Sequence, residues 1–321
     1  MPRVLVTTDY LKPGDAVDEY LRSAGLETLH RPLVGTRDPQ ELVRLLDGVE
    51  AALIANEPMS ADVLEQATSL RVIVRTGVGY DSVDIGAAAR RGITVSNLPG
   101  INANAVAEYT IGLLLAAARR LVQSARGVAS GSWPREDGHE LRGATLGIVG
   151  YGASGRAVAA LAGAFGMTVL CHTSIEPVPS AAGVEFVGFD ELLTRSDYVS
   201  IHTALTDRTR GLFDAAAFAA MKPTAMLINT ARGPIVDEDA LAEAVRGGEI
   251  AGAALDVVAT EPLPLDSPLR ELDEVVVYSH LAGQTAQARA AAGLEGAAEL
   301  VAALRGEPRF CVNQHLMEES A

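Results

Sequence analysis

The sequence predicts an α/β protein of two domains, each a doubly wound parallel sheet, and three observations lead to that class. Short apolar runs alternate with helical stretches from residue 3 onward, the order that generates parallel βαβ units. One segment, Ala144 to Ser174, reads strand, glycine turn, helix, strand. The chain has 321 residues, a length that corresponds to about two domains and buries roughly three quarters of the unfolded surface.

The segment from Ala144 is the centre of the chain. Thr145 to Val149 is a short β-type run, and Gly150, Gly152 and Gly155 follow it. Alanines, Val158, Leu161 and Phe165 then recur at helical spacing up to Gly166, and a second apolar run spans Met167 to Cys171. In that setting G-x-G-x-x-G is a dinucleotide fingerprint. Gly150 permits the tight turn, Gly152 removes a side chain that would hold a pyrophosphate away, and Gly155 lets helix pack on strand. The helix N-terminus adds N–H groups and partial positive charge. An acidic residue normally ends the second strand and accepts from the adenosine ribose hydroxyls. Here Cys171, His172, Thr173 and Ser174 bring no carboxylate, and no nearby arginine or lysine awaits a 2′-phosphate. The choice between NAD and NADP is left open, with NAD preferred.

Composition narrows the class of protein. A formal charge of −15 disfavours nucleic acid and anionic membranes as partners, because a phosphate backbone is held by a basic surface. A single arginine focused in a cleft still lets an acidic protein take a small anion. The longest apolar run, Ala105 to Ala118, contains Glu108 and Gly112 and falls short of the ~20 residues of a membrane span. The opening MPRVLVTTDY reads as a strand and not as a signal peptide. Cys171 and Cys311 are the only cysteines, so a soluble protein of the reducing cytoplasm is expected, with no metal site assigned.

In the first hundred residues the expected strands are Val4 to Val6, Ala51 to Ile54, Val72 to Val74 and Ile93 to Val95. Helices are expected near Asp15 to Ala24, Pro39 to Leu46, Ala61 to Ala67 and Val83 to Arg91. After Val74 comes RTGVGYDSVD, whose glycines allow the N–H groups of Val78 and Gly79 to face a cleft and hold an oxyanion; a plain β–α turn is the alternative. A long alanine-rich helix is expected from about Asn104 to past Val122, a candidate hinge and dimer contact with Glu108 as its buried charge. Beyond the glycine segment, strands are expected at Tyr198 to Ile201, Ala225 to Ile228, Ala251 to Leu255 and Val275 to Val277. Helices follow near Asp214 to Met221 and Glu238 to Arg246, and a final helix from about Gln287 to Leu304 returns to the first domain.

Three segments place a functional side chain just past a strand, at the edge where open α/β sheets bind ligands. LINTARGPIVDE offers Arg232, whose guanidinium can grip a carboxylate with two parallel hydrogen bonds. ALDVVATEPLP offers Asp256 at the strand end and Glu261 before a proline, and VVVYSHLAGQT offers His280. Hydride transfer from an alcohol carbon leaves a proton on oxygen, and histidine is the side chain that exchanges one near neutral pH. A neighbouring carboxylate favours the imidazolium, and Glu261 is the candidate. His202 ends a strand of the nucleotide domain and is expected to line the cofactor cleft; the other histidines read as structural or surface residues.

From RTGVGYDSVD through NLPGINANAVAE, ELRGATLGIVGYGASG, INTARGPIVDE and LDVVATEPLP to SHLAGQT, the chain resembles the D-isomer-specific 2-hydroxyacid dehydrogenases. The resemblance covers nearly the whole chain and implies a Rossmann-type nucleotide domain, 100–287, inserted in a flavodoxin-like substrate domain, 1–99 and 288–321. It implies Arg232, Glu261 and His280 as the catalytic residues and Arg75, Val78 and Gly79 as the substrate-anion loop. Gly152, Ala153, Ser154, Gly155 and Arg156 take the pyrophosphate, and Thr230, Ala231, Asp256 and Gly283 stand at the nicotinamide end. Three positions depart from the family pattern: Thr173 replaces an aspartate, Ala204 a proline in HxPLT, and Ser279 the proline before the histidine.

The activity so implied is NAD(P)-dependent dehydrogenation of a small 2-hydroxy acid, or reduction of the 2-oxo acid, by a homodimer. A phosphonate- or phosphite-like anion is an alternative substrate. Formate dehydrogenases resemble the chain but carry glutamine where Glu261 stands. A nucleotide-sensing corepressor shares the fold and the catalytic trio, but is disfavoured because the chain ends soon after its last matched segment.

Overall fold

The computed structural model describes residues 1–33, 38–174 and 181–320. Its chain forms two compact units: Met1–Asn102 with Thr285–Ala321, and Ala103–Gln284. Among the described residues no helix is long and apolar enough to cross a membrane.

The first unit holds β1 (Arg3–Val6), α1 (Ala16–Ser23), β2 (Glu27–His30), α2 (Pro39–Leu45), β3 (Ala51–Ile54), α3 (Ala61–Gln66), β4 (Val72–Arg75), α4 (Ile85–Arg90) and β5 (Thr94–Ser96). All pairings are parallel and the strand order is β2-β1-β3-β4-β5, the flavodoxin-like arrangement. Successive residues of one strand enter different cores. Leu5 packs with Ile54, Ile73, Leu42 and Leu64 on one face, while Val4 and Val6 pack with Leu53, Val74, Leu21 and Leu300 on the other. Burial on both faces is why these strands are continuous apolar runs and not alternating ones. Leu300 belongs to α11 (Ala286–Leu304), and α12 (Gln314–Ser320) follows it. Near the end of α11, the buried carboxylate of Glu299 accepts from Ser96 Oγ at 2.8 Å and from the backbone of Arg309 and Phe310, tying the returning chain to β5.

The second unit begins with α5 (Ala103–Ala118) and α6 (Leu121–Ala129), where the sequence suggests one helix. The break has an identifiable cause. Ala118 O accepts from His139 N at 2.8 Å in place of a helical partner, and Arg120 turns left-handed at φ 48°. Glu108 is exposed, contrary to expectation, because α5 turns Ala105, Val106, Ala107, Thr110, Ile111, Leu113 and Leu114 inward and Glu108 out. The sheet follows as β6 (Thr145–Val149), α7 (Ala153–Ala164), β7 (Thr168–His172), β8 (Val184–Phe186), α8 (Phe189–Arg195), β9 (Tyr198–Ile201), α9 (Ala215–Ala220), β10 (Met226–Asn229), α10 (Glu238–Gly247), β11 (Gly252–Leu255) and β12 (Val275–Val277). Its order is β12-β11-β10-β9-β6-β7-β8, parallel throughout. The winding reverses between β6 and β9, and a ligand crevice opens at the carboxyl ends of strands where that happens.

Candidate active site

Gly150 lies at that reversal with φ 105°, a conformation that costs glycine little. A Cβ on it would stand 2.6 Å from the backbone of His202 at the end of β9. At Gly155 a Cβ would stand 2.1 Å from Gly150 O, so α7 can start against β6 only without a side chain there. Gly152 caps α7, and a Cβ there would meet nothing within 4 Å. That open space at a helix N-terminus is the cradle a pyrophosphate requires, so the three glycines fit a bound dinucleotide. Ala153 and Ser154 open the same helix; Arg156 folds back, donating from Nη1 to Tyr151 O at 3.1 Å.

Thr173 directly follows β7, at the place where a ribose-binding acid would stand. His202 is buried and shares a hydrogen bond of 2.8 Å between Nε2 and Ser200 Oγ. Burial pushes its imidazole down to about 4, which favours the neutral form.

Arg232, Glu261 and His280 all come from loops at the carboxyl edge of this sheet. Arg232 follows β10 on a turn built by the buried Asn229, whose Oδ1 accepts from Ala231 N at 3.0 Å and whose Nδ2 donates to Arg232 O at 2.9 Å. Thr230 is buried and its hydroxyl lies 3.1 Å from that of Thr110. Glu261 and His280 meet: Nδ1 of the imidazole is 2.9 Å from Glu261 Oε2, with both side chains partly exposed. Burial works against ionisation of Glu261, but the hydrogen bond and charge of His280, with Val258 N and the charge of Arg232, hold its carboxyl below the usual range.

The turn that carries His280 is shaped by Asp256, a buried residue just past β11. Its carbonyl accepts from His280 N, and its two carboxylate oxygens accept from Leu281 N and Ala282 N, all at 2.8 Å. These bonds hold His280 at φ 58°, a left-handed conformation uncommon for a non-glycine residue. Asp256 thus orients the histidine, a role beyond its expected place at the nicotinamide end. Tyr109 on α5 also bonds Asp256, and burial with that carboxylate raises its phenol. Gly283 completes the same turn.

Arg75, Val78 and Gly79 belong to the first unit, at the carboxyl end of its β4. Arg75 is buried with Nη2 bonded to Asn56 Oδ1. Val78 is exposed, and its carbonyl accepts from Asn97 Nδ2 at 2.6 Å, which ties the loop after β4 to the residue that follows β5. Asn56, Asn97, Asn229 and the turn-building part of Asp256 lay beyond the reach of sequence reasoning, which had only a polar residue after each strand to point to them.

Comparison with known proteins identifies relatives of the chain. Residues 111–282 match the family model described as D-isomer specific 2-hydroxyacid dehydrogenase, NAD binding domain. A glyoxylate reductase of Thermofilum pendens is 38% identical over 330 aligned positions, covering 99% of this chain and 96% of the relative. A D-3-phosphoglycerate dehydrogenase of Archaeoglobus fulgidus is 40% identical over 95% of this chain, which spans only 58% of that relative's length. The crystal structure of the TT0316 protein of Thermus thermophilus superposes with a TM-score of 0.87 at 39% identity, covering 97% of this chain and 99% of that one.

Proposed function

Because the chain belongs to the D-isomer specific 2-hydroxyacid dehydrogenases, we propose that it moves a hydride between a nicotinamide dinucleotide and a small 2-hydroxy or 2-oxo acid. The observation that carries this proposal is the 2.9 Å contact between His280 Nδ1 and Glu261 Oε2, on a sheet edge that also carries Arg232 and the glycine cradle. Bound nicotinamide supplies or accepts the hydride; the rest falls to this chain's residues. With Nδ1–H donated to Glu261, the Nε2 of His280 is the atom that gives a proton to the substrate oxygen in reduction and takes it in oxidation. Arg232 holds the substrate carboxylate with its two-pronged fork, so the oxo carbon is fixed relative to the proton donor. Within the first unit, Arg75, Val78 and Gly79 form an anion-binding loop.

A panel of 2-oxo acids, including glyoxylate, hydroxypyruvate and pyruvate, assayed with NADH and NADPH, tests the proposal. Turnover of at least one acid is expected. Inactivity with all of them, together with NAD reduction by phosphite, would move the substrate to the phosphite-like class.

The same assay addresses cofactor choice. With threonine at position 173 the protein lacks the acid that accepts from ribose hydroxyls and repels a 2′-phosphate, so only a modest preference for NADH over NADPH in kcat/KM is expected. Thr173→Asp should raise that preference. A wild-type preference of many thousandfold would contradict the role given to this position.

We further propose a homodimer formed through the α5–α6 region. Helix α6 buries none of its residues, and Leu121, Val128 and Trp133 are 53%, 50% and 77% exposed. Sedimentation as a monomer at micromolar concentration would rule this out.

A further inference from the structure

The loop that carries Glu261 is clamped from the segment that carries Arg232. A Cβ on Gly233 would stand 1.9 Å from the carbonyl carbon of Val258 and 2.4 Å from Ala259 N, so the turn after Arg232 lies directly on the 258–259 peptide. Five residues beyond Gly233, Glu238 in the first turn of α10 reaches the same peptide: its Oε1 accepts from Ala259 N at 2.5 Å. The next bond is that of Glu261 itself, whose Oε1 accepts from Val258 N at 3.4 Å. One short stretch of backbone is thus pressed by Gly233, held by Glu238 and in contact with the carboxylate that meets His280.

We propose that Glu238 is a positioning residue: by holding the Ala259 N–H it sets the Glu261 carboxylate against His280, in register with Arg232. The inference rests on the acid–base role given to Glu261 above. Burial raises the Glu238 carboxyl above its usual range, with the Ala259 bond opposing and the charge of Asp239 adding to the rise. The charged groups facing Glu261 are His280 and Arg232.

The test compares pH profiles of kcat for reduction of the best 2-oxo acid. Glu261→Gln removes the negative charge that lies 2.9 Å from His280 Nδ1, and the alkaline limb of the profile is expected to move to lower pH. Glu238→Ala should lower kcat roughly fivefold, the scale of one lost hydrogen bond, and should move the same limb in the same direction. Added to Glu261→Gln, it should move the limb no further. Glu238→Gln keeps an acceptor oxygen and should restore most of the loss, whereas Glu238→Asp keeps the charge, falls a methylene short and should behave like Glu238→Ala. Since the alanine and glutamine variants both lose the helix-start charge, their difference isolates the acceptor. A limb that moves in Glu261→Gln but stays put in Glu238→Ala overturns the role of Glu238 alone, as does equal loss in the glutamine and alanine variants. A limb that stays put in Glu261→Gln overturns the role of Glu261, and this inference with it.

Discussion

Replacing His280 by alanine is expected to lower kcat for 2-oxo acid reduction by about 10²–10⁴-fold, the range for removing a positioned general acid. The affinity for NADH should stay within a few-fold. The two effects separate because the imidazole's bond is to Glu261, while the dinucleotide cradle is built from Gly150, Gly152 and Gly155 at the head of α7. The left-handed backbone of residue 280 is held by Asp256 through backbone N–H groups, and these remain when the side chain is cut back. Steady-state rates with an NADH fluorescence titration would check this. A large loss of NADH affinity with kcat retained would return His280 to a structural role.

Arg232→Lys should raise KM for the preferred 2-oxo acid by roughly 10- to 100-fold, since one charge-assisted hydrogen bond is worth about 1.5–3 kcal/mol. Lysine keeps the charge but is a point donor on a flexible stem, whereas the guanidinium offers parallel donors in a fixed plane. The turn around Arg232 is made for that plane. Asn229 fixes the backbone on both sides, and Arg232 Nη1 donates to Ala231 O at 2.7 Å, which orients the fork. NADH affinity should barely change. An unchanged KM would show that the carboxylate is held elsewhere.

These positions were legible in the sequence because each answers a demand that few residues meet. Gly150 needs a positive φ, Gly155 must admit a carbonyl oxygen, and each proposed catalytic group follows a strand of one parallel sheet. The core strands were legible for a related reason, since burial on both faces leaves uninterrupted apolar runs such as AALI in β3. β2 and β8 were not: ETLH and VEF are edge strands, half-buried and mixed in polarity, without a clear period. The break after Ala118 depends on His139, distant in sequence, and local helix propensity carries no trace of it. Likewise Asn229, Asp256 and Glu238 act through backbone N–H groups of turns, and only the folded chain says which turn each of them meets.

In the proposed mechanism Glu261 acts only through His280, the two forming one proton-delivering unit. The most direct measurement is the effect of Glu261→Gln on kcat in two backgrounds, wild type and His280→Ala. A clear loss in the wild type and none in the His280→Ala background is the predicted result; an equal loss in both would show that the carboxylate works independently of the histidine and would contradict the account.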